Sequence, residues 1–377
     1  MLIGIDGNEA NVKEKVGVSI YTQRHLEYFK KKAYKNLKFC IFLKKRPNDT
    51  LPTSTKFFFY KTVKGNIFWS QIFLPFQLIL NKITRRSVDV FFAPAHYAPR
   101  YVFSPFVVTI HDLSYFYYPE EFLKQDLFKL KHWTSYSLKN AKKIIAVSKT
   151  TKKDIIKFYS IPEEKIEVIY NGFEKKVENQ KVKGKSNIES RLNREKIGNY
   201  ILYVGTLQPR KNIPALIEAF RRFHQQYPTF KLIITGRKGW MYSEIFAKVK
   251  ELGYEQYIIF AGFVSDTELI DLYRYAFCFV MPSLYEGFGI PVLEAMSFGC
   301  PVISSFTSSL PEVGGESCLY FDPNDPSDLY EKLVLLKENH PLRVKLIRRG
   351  KKRVGFFSWE KSTQATLDLL TLVAQGY

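Results

Sequence analysis

The chain has 377 residues, 46% of them hydrophobic and 16% aromatic, which is too long for one typical core and about right for two domains of ordinary size. Its formal net charge is +21, with 29 Lys and Arg against 14 Asp and Glu up to Gly172, a basic excess that suits anionic lipid, acidic glycans or nucleic acid without choosing among them. No stretch approaches the roughly 20 apolar residues of a membrane span, residues 1–6 lack the basic leader of a signal peptide, and Cys40, Cys278, Cys300 and Cys318 show no metal-ligand spacing, so a cytoplasmic protein with buried thiols is expected.

Apolar runs alternate with helix-length amphipathic stretches, the pattern of parallel α/β units. Strands are read at residues 2–5, 39–43, 88–92, 106–110, 143–147 and 166–169, and a helix at 18–32 opened by Gly17. Ligands on such sheets bind beyond the carboxyl ends of strands, where Asp6-Gly7-Asn8 and His111-Asp112 fall. Residues 57–86 mix aromatics with Lys61, Lys64, Lys82, Arg85 and Arg86. Within them, 67–83 reads as an amphipathic helix whose apolar face packs on its own sheet and whose basic ends meet anionic lipid. Ser148 reads as the cap of the next helix rather than as a nucleophile. Residues 173–199 are rich in Lys, Glu and Asn, and form a linker or exposed excursion between a first domain at 1–172 and a second at 200–355.

The second domain opens with a strand at 200–204 followed by Gly205-Thr206-Leu207-Gln208-Pro209-Arg210-Lys211-Asn212. Arg210 and Lys211 project from this loop with no acidic residue nearby in sequence, a guanidinium fork and an ammonium point charge suited to a diphosphate. Asn212 is expected to cap the helix that follows. After a strand at 230–235, Gly236 and Gly239 are expected to let the backbone approach a ligand, and Arg237 to add charge or contact a nucleotide. Ser265 to Glu268 forms a capping box. Then an apolar run, 277–281, leads into Pro282-Ser283-Leu284-Tyr285-Glu286-Gly287-Phe288-Gly289-Ile290-Pro291-Val292-Leu293-Glu294. Strand, glycine loop and helix start in that order aim backbone N–H groups and a helix dipole at an anion. Glu286 and Glu294 flank that seat with acceptor-only carboxylates, which fits a ligand with hydroxyls at both ends and phosphates between.

Glu286 and Glu294, with seven residues between them enclosing Gly287-Phe288-Gly289 and Pro291, resemble the E-x7-E signature of family 4 glycosyltransferases, retaining enzymes of the GT-B fold. The loop 205–212 is similar to that of the mannosyltransferase-like members. The resemblance implies an α/β chain of two Rossmann-like doubly wound parallel-sheet domains facing across a cleft, with residues 356–377 as a helix crossing back to the first domain. It implies transfer of a hexose, mannose favoured, from a nucleoside diphosphate sugar to a glycan or lipid-linked acceptor in envelope or polysaccharide biosynthesis. GDP-mannose stands ahead of UDP-sugars, and neither cofactor nor metal is expected. In that reading Arg210 and Lys211 neutralise the leaving diphosphate, which Gly17, Gly287, Phe288 and Gly289 approach. Glu286 contacts the sugar, Glu294 the ribose, and Phe263 lines the base pocket, while Arg237 adds to the phosphate charge or contacts the nucleotide. His111 lies beneath the transferred sugar, and His96 falls on the acceptor side. The family usually carries a glycine pair where Val16-Gly17 stands here. A nucleotide-sugar epimerase or phosphorylase shares the architecture without this loop. A basic membrane- or nucleic-acid-binding module would have no use for Glu286 and Glu294 at a phosphate seat, because carboxylates repel a polyanion. Nucleic acid is therefore not expected as a partner, whereas peripheral contact with the inner face of an anionic membrane is.

Overall fold

Short runs of Val, Ile and Phe make strands that are covered on both faces, as a parallel sheet requires. Phe106–Ile110 is buried along its whole length, and Lys38–Leu43 at every position after the first. The computed structural model describes residues 1–15, 17–66, 68–84, 86–174, 198–239 and 241–376; Val16, Ile67, Arg85, Trp240 and most of the stretch read as a linker lie outside the described residues. Strands β1 (Leu2–Asp6), β2 (Lys38–Leu43), β3 (Phe58–Thr62), β4 (Val90–Ala93), β5 (Phe106–Ile110), β6 (Lys143–Ala146) and β7 (Ile166–Val168) form a seven-stranded parallel sheet in the order β3-β2-β1-β4-β5-β6-β7. Strands β8 (Asn199–Val204), β9 (Phe230–Thr235), β10 (Ile258–Gly262), β11 (Cys278–Met281), β12 (Val302–Ser305) and β13 (Cys318–Phe321) form a second parallel sheet, ordered β10-β9-β8-β11-β12-β13. Each order reverses once, between β1 and β4 and between β8 and β11. Loops leaving such a pair diverge and open a crevice at the carboxyl ends.

The chain divides into two compact units, Met1–Gly172 with Phe357–Tyr377, and Phe173–Phe356. Each is a doubly wound α/β domain. In the first, Ile3, Ile5, Phe29 and Phe39 share a core with Leu367, Leu370 and Val373 of the helix Trp359–Ala374. His25 Nε2 stands 3.1 Å from Thr366 Oγ1 in the same buried layer. The opposite face packs Phe42, Phe91, Val108 and Leu138 with Leu74 and Leu78 of the helix Phe73–Ile83. In the second unit, the helix Ile213–Gln226 buries Leu216, Ile217, Phe220 and Phe223 against the sheet residues Ile201, Leu232 and Ile234.

Some expectations need correction. The helix read from residue 67 begins at Phe73, because the segment before it turns around Trp69, whose indole N–H donates to the Val63 carbonyl at 2.7 Å. That helix is apolar on two faces: Leu74, Pro75 and Leu78 are buried, whereas Phe76 and Ile83 are 63% and 73% exposed. Packing on its own sheet thus accounts for only part of its apolar surface. The edge strand Phe58–Thr62 lay unread within the mixed aromatic stretch. The helix Lys124–Asn140 escaped too, since it buries Thr134, Ser137 and Leu138 and so lacks an apolar period. No helix among the described residues is long and apolar enough to cross a membrane.

Candidate active site

The loops after β8 and β11 start side by side at the strand reversal of the second sheet. Pro209–Lys211 forms one 3-10 turn. The Leu284 N–H donates to the Arg210 carbonyl at 2.8 Å, and Arg210 Nη1 donates to the Tyr285 carbonyl at 3.2 Å, which stitches the two loops together. The result joins residues 75 positions apart: Lys211 Nζ donates to Glu286 Oε1 at 2.5 Å, and Arg210 Nη1 lies 3.9 Å from Oε2. Lys211 and Glu286 are only 9% and 8% exposed, so this is a buried pair rather than a surface contact. Ser283 Oγ donates to the same Oε1 at 2.7 Å. Burial alone would raise the Glu286 pKa, but Lys211 and Arg210 outweigh it and hold the carboxyl below its ordinary range. The basic pair has no acid near it along the chain, yet in space it has Glu286.

The same loop is tied back to a serine turn. The Glu286 N–H donates to Ser308 Oγ at 2.9 Å, and Ser309 Oγ donates to the carbonyls of Glu286 and Phe288 at 2.8 and 3.0 Å. Gly289 caps the helix Ile290–Ser297 at φ +99°, a conformation that demands glycine, and a Cβ there would also press on Leu310 Cδ2 at 2.7 Å. The positive end of that helix therefore begins three residues after Glu286. One turn further on, Glu294 Oε2 accepts a hydrogen bond from the Tyr273 hydroxyl at 3.0 Å, and burial followed by the Glu294 charge pushes that phenol pKa well up.

Farther along the same sheet edge, the Arg237 guanidinium lies 4.8 Å from the centre of the Phe263 ring, which is 65% exposed. One expectation changes here, and a packing demand is added to another. At Gly236 a Cβ would collide with the Gly205 carbonyl oxygen, and at Gly239 it would sit 2.7 Å from the Leu207 oxygen, so packing requires glycine at both. Asn212 does precede its helix, but at φ +54° and without a capping bond; its Nδ2 donates instead to the Pro323 carbonyl at 2.7 Å.

In the first unit, the β1/β4 reversal holds a cavity of about 150 Å³ lined by Asp6, Asn8, Glu9, His96, Tyr97 and Leu130 among others. Asp6 Oδ1 accepts from the Asn8 N–H at 3.1 Å and from Asn8 Nδ2 at 2.7 Å. Burial nevertheless raises the Asp6 pKa to about 6, with Glu9 adding to it. His96 Nδ1 is buried and has no partner among the described residues. His111, at the end of β5, places Nε2 2.7 Å from the Pro94 carbonyl. A carbonyl only accepts, so Nε2 carries the proton. Burial, followed by neighbouring His96, holds the His111 pKa down to about 3, leaving a neutral ring whose Nδ1 is an acceptor. Asp112 Oδ1 accepts from the Ser114 N–H and Oγ at 3.0 and 2.7 Å. Gly17 stands at the N-terminus of the helix Val18–Lys32 with φ +47°. Ser148 Oγ accepts from the Thr151 N–H at 3.0 Å, a cap as expected. No group of three or more His, Cys, Asp or Glu among the described residues could hold a metal ion.

Of the sequence-predicted residues, Arg210, Lys211 and Glu286 are thus brought into contact, with Gly287, Phe288 and Gly289 next in the chain. Arg237 and Phe263 meet each other, whereas Glu294 meets Tyr273. Ser283, Ser308, Ser309 and Tyr273 had no assigned role in the sequence; a serine beside a carboxylate in space leaves no local signature along the chain.

Residues 17–176 match the family described as Glycosyltransferase Family 4, and residues 185–353 match glycosyl transferases group 1. The chain is 33% identical over 281 residues to O-antigen chain mannosyltransferase B of Escherichia coli, covering 71% of this chain and 70% of that protein. It is 36% identical over 218 residues to the O-antigen chain mannosyltransferase RfbU of Salmonella typhimurium, covering 58% and 57%. Among solved structures, sucrose-phosphate synthase from Thermosynechococcus elongatus has the same fold over 100% of both chains, with a TM-score of 0.74 at 19% identity. The architecture is therefore that of the GT-B glycosyltransferases. This chain belongs to the family 4, group 1 glycosyltransferases.

Proposed function

We propose that the protein transfers a hexose, mannose first among the candidates, from a nucleoside diphosphate sugar, GDP-mannose before UDP-sugars, to a glycan or lipid-linked acceptor during polysaccharide biosynthesis, with retention of anomeric configuration. The observation that carries this reading is the buried Lys211–Glu286 pair, with Arg210 beside it, three residues before a helix N-terminus at a strand reversal. Mannose rests on the relatives, both O-antigen chain mannosyltransferases by name. Arg210, Lys211 and the amides of residues 287–289 stabilise charge on the departing diphosphate, an electrostatic role that asks for no metal and no cofactor. Gly17 offers a further backbone approach to the phosphates. Glu294, oriented by Tyr273, takes the ribose, and the exposed Arg237–Phe263 stack takes the base. His111 accepts a sugar hydroxyl at Nδ1. Glu286 contacts the donor sugar. Its Oε1 is already engaged by Lys211 and Ser283 and its basicity is low, which favours same-face attack guided by the leaving phosphate over a covalent intermediate on Glu286.

We also assign peripheral contact with anionic lipid to the helix Phe73–Ile83. It exposes Phe76 and Ile83, and Phe103 nearby lies beneath Lys82 Nζ at 4.3 Å. Between Thr50 and Ser87 the chain carries six Lys and Arg and no Asp or Glu. The transfer reading is tested by thermal shift with GDP, UDP and ADP, followed by transfer from radiolabelled GDP-mannose and determination of the product anomer by NMR. Stabilisation by GDP and an α-linked product are expected; stabilisation by none of the three nucleotides refutes it.

A further inference from the structure

We propose that the cavity at the carboxyl ends of β1 and β4 holds a neutral, hydroxyl-bearing sugar ring, and that Asp6 and Glu9 exclude a phosphorylated one. Naming that ring as the acceptor's terminal sugar rests on the transferase reading above. The binding chemistry does not.

The first observation is the sign of the lining. The chain is strongly basic, and its excess of Lys and Arg sits before Gly172, yet among the described residues the cavity wall carries two carboxylates and neither Lys nor Arg. Ionised carboxylates only accept hydrogen bonds, and sugar hydroxyls are donors that also accept. A phosphate brings further negative charge to a site that already disfavours it. Burial and Glu9 raise the Asp6 pKa, and after burial the Tyr97 phenol is raised by Glu9, Asp6 and Asp126. With Asp6 and Glu9 both in the wall, a second anion meets their repulsion there.

The second observation is His96. Its Nδ1 is buried without a partner among the described residues, although a buried polar nitrogen is normally paired. His96 lines the same cavity, and a hydroxyl can serve either tautomer of its ring because it both donates and accepts. The third observation is size and shape. About 150 Å³ is the volume at which an engineered protein cavity admits a six-membered ring. Val18 and Leu130 add apolar wall for the C–H face of a pyranose, the mixture of apolar surface and few convergent polar groups expected of a small-molecule site. Specificity would thus come from hydroxyl acceptors and from charge, and the acceptor would present a neutral glycan end rather than a sugar phosphate.

Saturation-transfer NMR on the full chain tests this, with the methyl α-glycosides of mannose, glucose and galactose and with mannose 1-phosphate as probes. The wild type is expected to bind at least one methyl glycoside and to bind mannose 1-phosphate at least tenfold more weakly. Asp6→Asn and Glu9→Gln, checked for folding by circular dichroism, are expected to weaken the glycoside at least tenfold, and Glu9→Lys to improve the phosphate. The proposal is overturned if no methyl glycoside binds, if mannose 1-phosphate binds as well as the glycoside, or if both substitutions leave glycoside affinity unchanged. A GDP thermal shift on the same samples reports the donor half separately: its absence would undo the transferase reading while leaving the sugar-binding result to stand or fall alone.

Discussion

Lys211→Met, Glu286→Gln and the double variant form a cycle that separates structure from chemistry at the centre of the site. Removing one partner of a buried ion pair leaves an uncompensated charge and costs about 3–5 kcal/mol. Arg210 stands 3.9 Å from the remaining carboxylate, and charges about 4 Å apart interact by roughly 4 kcal/mol at an effective dielectric near 20, so Lys211→Met should fall at the low end, about 3 kcal/mol. For a unit of this size that lowers the melting point by roughly 6–12 °C. The double variant removes both charges and should lose less than the sum of the singles by about 2 kcal/mol or more. Turnover should behave differently. Each single variant is expected to lose on the order of 10²- to 10³-fold, and the double should recover nothing, because the proposed mechanism gives lysine the diphosphate and glutamate the sugar. The acid limb provides a further check. The folded-state pKa of Glu286 lies below its ordinary 4.5, so its stabilisation is present above that value and disappears as pH falls through the lower folded one. In Lys211→Met that loss should begin at higher pH. Strictly additive stabilities, or turnover restored in the double variant, would mean that Lys211 serves only to neutralise Glu286 and would refute the reasoning.

Asp6 gives the opposite pH dependence. Its folded pKa is raised to about 6 from 3.8, so the folded state loses stability as pH rises from about 4 to about 6 and stays penalised above, by up to about 3 kcal/mol. Asp6→Asn should therefore raise the melting point at pH 7.5, with the gain vanishing below pH 4; a variant no more stable than wild type at pH 7.5 contradicts this. On the lipid side, the wild type should float with vesicles containing phosphatidylglycerol at low salt, and Phe76→Glu with Ile83→Glu should abolish flotation, since each of those side chains contributes about 1.5–3 kcal/mol when fully buried in an apolar medium. Equal flotation of the variant removes the lipid assignment.

The parallel sheets were legible because their strands are buried on both faces and so read as unbroken apolar runs; residues 106–110 and 230–235 are strands over the same bounds in sequence and structure. The motif around Glu286 was legible for a similar reason, since strand, glycine loop and helix start are contiguous. What was hidden was hidden by distance or by compensation. Lys211 and Glu286 lie 75 residues apart, so their pairing left no trace in either local stretch. The packing demand on Gly236, whose Cβ would meet the Gly205 carbonyl at the end of the neighbouring strand, was hidden in the same way. The helix Phe73–Ile83 is apolar on both sides, which a one-face reading assigned wholly to the core. Thr134 and Ser137 are buried polar residues that masked a 17-residue helix.

The helix Trp359–Ala374 supplies Leu367, Leu370 and Val373 to the same core as Ile3 and Phe29. Synthesis proceeds from the amino terminus, so residues 1–172 emerge from the ribosome with one wall of their interior missing and must wait for residues 359–374 before that wall arrives. Such late, long-range closure slows folding and leaves apolar surface bare in the meantime. A nascent chain stalled before Trp359 should therefore be a better chaperone client and protease substrate than the finished protein.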